Sequence, residues 1–284
     1  MTAPALLLLP LSLWLAVSPV GDAERGRAAG LLSLRAAQSS AVYLRPLTLQ
    51  VGSTDEEVLT ALLRCKREPL GERCDETTFT SESPPHHERV AGFWMARTET
   101  TVAEYARCVA AGRCSPPGFQ GGARRFERPS LPVTLVSFDD AQHYCAFRGG
   151  RLPSEAEFER AARGAARRTY PWGRSYSRYL ANHGRLGVDP SDPSDGFTEL
   201  APVGSFPNGA TPEGLLDLAG NVAEWTADAF VPAYGLPPTS ERAVRGGHFA
   251  SAAPFLRGAA RTSRPATTRE PTLGFRCVWN AAPP

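Results

Sequence analysis

The chain has few side chains that could run a reaction, and their spacing narrows them further. Its five histidines are His86, His87, His143, His183 and His248. None forms an HxxxH pair or the two-histidine, one-carboxylate run that holds iron or zinc. His86 and His87 follow Pro84 and Pro85 and read as exposed loop residues. The six cysteines are Cys65, Cys74, Cys108, Cys114, Cys145 and Cys277. No CxxC occurs, and no histidine stands at zinc-finger spacing from a cysteine pair. GxSxG, the phosphate-binding GxxxxGKS/T and GxGxxG are all missing, which removes the usual serine-hydrolase and nucleotide-binding arrangements. The arginines Arg245, Arg257 and Arg261 can bind an anion or pair with internal carboxylates, and the second role is the commoner one. Trp172 and Trp225 read as core residues before ligand platforms.

These residues hang on short elements. YLRPLTLQVGS, from Tyr43, alternates loosely and ends in Gly-Ser, as a strand entering a turn does. Residues 66–88 read as loop, and Glu88–Thr98 as a strand. Three helix starts carry a side-chain cap with an acid three residues on: Thr101 with Glu104, Ser137 with Asp140, and Ser154 with Glu157. Phe158, Ala161 and Ala162 then lie on one face of the last helix. Gly112, Gly149 and Gly164 stand where C-terminal stops are expected. Beyond Ala165 the periodicity fades into turn after turn: YPWG, DPSDPSDG, FPNGATPEG, VPAYGLPP. A stretch from 170 to 245 is too long to stay structureless in a packed domain unless something pins it. No cysteine lies between 145 and 277, so a bound metal is the substitute to consider.

The chain has 284 residues, 42% hydrophobic and 21% charged, enough apolar material for a core and too much for a disordered tail. The formal net charge of +2 supplies no field that would select nucleic acid or an acidic membrane. Residues 5–17, ALLLLPLSLWLAV, have the length of a secretory signal core and are short for a membrane span. Gly21 and Ala23 stand at −3 and −1 of a cleavage before Glu24, although no Lys or Arg precedes the apolar run. The expected organisation is a signal peptide at 1–23, a linker at 24–42 and a domain at 43–280, with no transmembrane segment after cleavage. The expected location is exported: periplasmic, cell-surface or secreted. An even cysteine count in an exported chain points to disulfides. Of the fifteen pairings six cysteines allow, short loops favour Cys65–Cys74 and Cys108–Cys114. That leaves Cys145–Cys277, a long closure worth about 4–5 kcal/mol in the chain-entropy account, but spacing alone does not choose.

Five blocks occur in order: GGRLPSEAEFERAARG (149–164), YPWG (170–173), GLLDLAGNVAEWTAD (214–228), RGGHF (245–249) and LGFRC (273–277). Together with RTETTVAEYARC (97–108) and LPVTLVSFDDAQHYCAFRGG (131–150), they resemble the sulfatase-modifying-factor family of the formylglycine-generating enzymes. The likeness runs from about Tyr43 to Asn280. It implies a single α+β domain, related to C-type lectins and poor in regular structure, and a disulfide matching Cys145–Cys277.

The resemblance also implies two structural calcium sites. One maps onto the Asn182 side chain, the His183 carbonyl, Asp195 and the Phe197 carbonyl. The other maps onto the Asp217 side chain, the Gly220 and Val222 carbonyls, and the Glu224 carboxylate. Calcium accepts such mixtures of carboxylates and backbone carbonyls and can order a loop that has no other anchor. Taken without the family, the same acids are ordinary solvated loop residues.

The family's oxidation of a substrate cysteine to formylglycine uses two cysteines five residues apart, just after an RGGSF-like block, to hold copper(I). Here the segment reads RGGHFASAAPFLRGAAR. The first cysteine position is Ser251, and the second, in a shortened loop, is Leu256 or Ala253. A soft cuprous ion needs thiolates, and none of these residues supplies one. His248 replaces the usual serine and is the possible substitute; copper is not expected. The leading expectation is therefore a calcium-stabilised, catalytically degenerate domain acting as a binding or accessory module, with a protein or glycan ligand in the cell envelope. The rival is an enzyme with an altered centre, a formylglycine-generating-type oxidase or another metal-dependent oxidation. A purely structural envelope protein is a third reading.

Overall fold

Strand formation begins two residues ahead of the expected domain start. The computed structural model describes residues 40–185 and 193–283; the expected signal peptide at 1–23 and linker residues 24–39 lie outside them. β1 (Ala41–Leu44) pairs antiparallel with β4 (Phe93–Ala96), which pairs with β9 (Val278–Trp279). Ala41 and Leu44 point into the core, while the Tyr43 ring leans on Trp94 at 5.4 Å across the strand pair. These contacts draw the end of the expected linker into the sheet.

Pro46 has no N–H to extend β1, so the run starting at Tyr43 splits. β2 (Leu47–Val51) pairs instead with β3 (His86–Val90). The strand expected over Glu88–Thr98 likewise divides between two sheets. The break is at Gly92, where a Cβ would lie 2.4 Å from the Tyr43 hydroxyl. His86 and His87 are consequently strand residues, not loop residues. The third sheet has the order β7-β6-β5-β8, from β5 (Ala223–Ala229), β6 (Arg242–Arg245), β7 (Arg261–Arg264) and β8 (Leu273–Gly274); only β5 and β8 run parallel.

The three capped helices form as the sequence predicts: α2 (Val102–Ala110), α3 (Phe138–Phe147) and α4 (Glu155–Arg163), each with its reciprocal capping box. Gly112, Gly149 and Gly164 follow them with φ of 66°, 68° and 56°, the left-handed backbone that ends a helix cheaply only at glycine. An additional helix, α1 (Asp55–Cys65), has the same signature in Thr54 and Glu57. Its buried face, Ala61, Leu62 and Cys65, is masked in the sequence by Leu59 and Leu63, which are exposed.

All six cysteines are bonded in the expected pairs: Cys65–Cys74, Cys108–Cys114 and Cys145–Cys277. The last ties α3 to the segment entering β9. One core cluster packs Tyr105, Tyr144 and Phe275 against Phe138 and Trp225, and a second packs Phe158 of α4 with Leu44 and Met95. Trp225 is fully buried, as expected, and donates its indole N–H to the Val136 carbonyl at 3.3 Å. Every residue of α4 is buried, although five of its nine are charged. A buried charge is tolerable only when paired, and those pairs organise the region around 245–261.

Candidate functional site

Arg245 ends β6 in the middle of α4's carboxylates. Its guanidinium reaches Glu155 Oε1 at 3.1 Å and Glu159 Oε2 at 2.8 Å, and donates to the Gly258 carbonyl at 2.9 Å. Arg261 pairs with the other face of Glu155, and Arg257 grips Glu82 with both terminal nitrogens at 2.8 and 2.5 Å. All three arginines are internal ion-pair residues. The nearby carboxylates raise the Arg245 pKa despite burial, so it stays charged.

From Arg245 the chain turns through Gly246 and Gly247, with φ of 93° and 67°. At Gly247 a Cβ would come within 2.8 Å of both Leu256 Cδ2 and the Phe255 carbonyl, so the turn requires glycine. The next residues close on themselves. The His248 N–H donates to Ser251 Oγ at 3.0 Å, the Ser251 N–H donates to the His248 carbonyl at 2.7 Å, and the Ala250 N–H donates to His248 Nδ1 at 3.2 Å. His248 and Ser251 line a cleft of about 260 Å³, whose far side holds the Arg264–Glu270 ion pair. Burial, with the Arg264 charge, pushes the His248 pKa down to about 4, against a smaller opposing effect of Glu270. The ring is therefore neutral near pH 7, and its Nδ1 accepts the Ala250 N–H, which leaves its proton on Nε2.

The two alternatives for the second degenerate position do not meet His248 in this cleft. Leu256 is buried with Tyr170 and Ala219 in a separate cluster, and the Ala253 carbonyl accepts from the Tyr170 hydroxyl at 3.2 Å. With every cysteine disulfide-bonded, the cleft contains no thiolate, and the residues present do not suit copper(I).

The residues expected around calcium fall in two connected groups. In the first, the Asp195 carboxylate accepts from the His183 N–H at 2.7 Å and the Phe197 N–H at 2.9 Å. Asn182 is buried and donates Nδ2 to the Glu199 carbonyl and to Asn221 Oδ1, while its own Oδ1 has no partner. The His183 ring turns away to the Gly184 carbonyl at 3.1 Å, leaving its backbone to face the group. In the second, Asp217 accepts from the Gly204 N–H at 2.6 Å, and Glu224 lies against Arg276. Gly220 has φ +83°, and a Cβ there would strike the Asn182 carbonyl at 2.0 Å. That close approach locks the two loops together.

Two residues outside the expected set join these groups. Asn221 accepts from Asn182 and donates to Glu99 Oε1 at 3.0 Å, bridging them. Glu99, 1% exposed, also meets the Asp217 carboxyl through a side-chain hydrogen bond. Burial and the Asp217 charge hold its pKa well above the carboxylate range, with Arg276 opposing. Burial also raises Asp217 and Glu224. Nothing in the local pattern of Thr98–Thr100 marks Glu99, which is brought in from the loop after β4 by tertiary packing. Among the described residues no three His, Cys, Asp or Glu side chains converge on one point. Sets built half from carbonyls, as both expected sites are, need no such triad. The buried, unpartnered Asn182 Oδ1 fits a hard cation.

Residues 52–281 match the sulfatase-modifying factor enzyme 1-like domain. The chain is 39% identical over 179 residues to the inactive C-alpha-formylglycine-generating enzyme 2 of Mus musculus, covering 60% of this chain and 55% of that protein. It is 36% identical over 177 residues to the formylglycine-generating enzyme of Mycobacterium tuberculosis, covering 54% and 58%. The chain thus spans little more than half the length of these relatives. Among solved structures, PvdO from Pseudomonas aeruginosa superposes with a TM-score of 0.67 at 25% identity, over 85% of this chain and 94% of that one.

Proposed function

This chain belongs to the sulfatase-modifying factor enzyme 1-like domain family, and from that premise we propose that it is a catalytically degenerate member, an exported binding or accessory module stabilised by calcium. The observation that carries this reading is the closed His248–Ser251 loop in a cleft without a thiolate. Ser251 Oγ is committed to the His248 N–H, and His248 Nδ1 to the Ala250 N–H. To ligate a metal through Nε2, His248 would have to move its proton to Nδ1 and lose the Ala250 hydrogen bond. That cost argues against the rival reading of an oxidase with a histidine-based centre. The likeness to a relative named inactive supports the same side, although the chain is nearly as similar to formylglycine-generating enzymes.

Calcium would be held by Asn182, Asp195 and the His183 and Phe197 carbonyls, and by Asp217, Glu224 and the Gly220 and Val222 carbonyls. It would supply positive charge and fixed geometry to loops that carry little regular structure. Three disulfides support export, because such bonds persist in oxidising compartments. The ligand we propose for the module is a protein or glycan of the cell envelope.

The test is a cysteine-containing sulfatase-type peptide incubated with the protein, copper(I), calcium, a thiol reductant and air, beside the M. tuberculosis relative as a control. The expected outcome is an unchanged peptide mass where the control yields aldehyde. Aldehyde formation that His248→Ala abolishes would overturn the degenerate reading.

A further inference from the structure

A cavity of about 490 Å³, separate from the His248 cleft, lies between α1, the turn after α4 and the Arg257–Ala259 segment. Five arginines and two glutamates line it. Three of the arginines are neutralised within the protein. Arg163 is shared by Glu57 and Glu159, Arg167 reaches Glu57 Oε2 at 2.6 Å, and Arg257 is held by Glu82. Arg64 and Arg174 are different: among the described residues neither has a carboxylate within ion-pair distance. Arg64 makes a single hydrogen bond, from Nη1 to the Tyr170 hydroxyl at 3.3 Å.

Tyr170 also brings the second cation near. Tyr170 and Gly173 exchange backbone hydrogen bonds at 2.8 and 3.0 Å, closing a tight turn that places Arg174 immediately after it. Arg64 is thus tied to the Tyr170 hydroxyl, while the exposed Arg174 follows the Tyr170–Gly173 turn, and both line the cavity. Arg167, which also lines the cavity, has φ +49°, a left-handed conformation costly for any residue with a Cβ. On α1, Glu56, Thr60 and Arg64 recur every four residues along the wall. The exposed Glu56, which has no arginine partner, therefore lies about 12 Å from Arg64 along the helix axis. At the Tyr170 end the charges of Arg64 and Arg257 act on the tyrosine against the smaller opposing effect of Glu68.

We propose that this cavity is a binding site for a ligand bearing an oxyanion, a carboxylate or a phosphate-type group, held between Arg64 and Arg174. The planar guanidinium presents paired donors that match either group. The partly enclosed walls strengthen the attraction over that at an open surface. The occupant is a small molecule or the acidic end of a larger one; the cavity volume admits either.

The experiment is isothermal titration of the full chain at low ionic strength with inorganic phosphate and, separately, citrate, which distinguishes a tetrahedral from a carboxylate preference. Arg64→Gln and Arg174→Gln are each compared with Arg113→Gln, an exposed arginine away from the cavity that removes the same charge. The expected result is saturable binding of at least one probe, weakened about tenfold or more by either cavity variant and little changed by Arg113→Gln. Ligand-free melting temperatures verify that each variant folds. Absence of binding by both probes, or equal weakening by all three variants, would overturn the assignment. The result is independent of the peptide-oxidation test, because the cavity shares no lining residue with the His248 cleft.

Discussion

Arg276 and Glu224 meet as two fully buried side chains, with Nε 2.8 Å from Oε2 and Nη2 2.7 Å from Oε1. The remaining donors of the guanidinium reach the carbonyls of Ala96, Arg97, Leu216 and Asp217. One side chain therefore ties the last β-strands to the segment after β4 and to the loop that carries Asp217. Removing it leaves a buried carboxylate without its partner, a loss of about 3–5 kcal/mol. Arg276→Met should show that drop in urea unfolding, and Arg276→Lys should fail to restore the stability, because an ammonium cannot reproduce the fork. Adding Glu224→Gln to Arg276→Met should recover part of it. Equal stability of Arg276→Met and the parent would remove the pair from its central role.

The Cys145–Cys277 bond joins residues 132 apart in sequence. Loop closure of that length is worth about 4–5 kcal/mol through the unfolded chain. The double variant Cys145→Ala/Cys277→Ala should lose most of this in denaturant titration. Replacing Cys108 and Cys114, which are six apart, should cost less. In the unreduced parent a thiol-reactive dye should find no reactive group, folded or unfolded. A labelled cysteine in the unfolded, unreduced chain would contradict the complete pairing on which the copper argument rests.

His248 gives the fold a defined acid sensitivity. Its pKa falls from the ordinary 6.5 to about 4, so between those values the unfolded chain binds a proton that the folded chain does not. Stability contributed by the neutral ring is present above pH 6.5 and is lost as pH falls toward 4. At about 1.4 kcal/mol per unit, the full loss is at most roughly 3 kcal/mol, and less to the extent that water in the cleft reaches the half-buried ring. His248→Asn should flatten the stability profile between pH 6.5 and 4 relative to the parent. An unchanged slope would mean that the ring already accepts a proton in the folded cleft.

Much of this architecture is legible in the sequence because it is local. Thr101, Ser137 and Ser154 announce their helices through caps that involve only the next three residues, and the matching glycines end them. Local reading fails where the cause lies elsewhere in the chain. The strand expected over Glu88–Thr98 divides around Gly92 because its two halves pair with different strands, β2 and β1, and the Tyr43 hydroxyl leaves room there only for glycine. Helix α1 is obscured because Leu59 and Leu63 sit on its solvent side. The degenerate positions Ser251, Leu256 and Ala253 follow from family-block spacing, but only packing reveals that Leu256 belongs to a separate cluster. Glu99 and Asn221 escape for the same reason. Each becomes informative only when the loops carrying Asn182, Asp217 and Glu99 are brought side by side.

Those loops carry the final prediction. Glu99, Asp217 and Glu224 are buried together with one guanidinium, Arg276, for compensation, and burial raises all three pKa values. A structure that gathers acids at such cost gains most from a cation whose charge replaces bound protons. With calcium at about a hundred times its dissociation constant, linkage gives about 2.7 kcal/mol of added stability, roughly 5–10 °C in melting temperature for a domain of this size. Chelation should remove that increment, and magnesium, which demands a tighter octahedron, should restore it poorly. Asn182→Ala and Glu99→Gln should each reduce the calcium-dependent shift while the chelated proteins still melt cooperatively. If calcium leaves the melting temperature of the parent unchanged at millimolar concentration, Asn182 Oδ1 is satisfied by water, and the loops are held by Arg276, Asn221 and the Glu99–Asp217 contact.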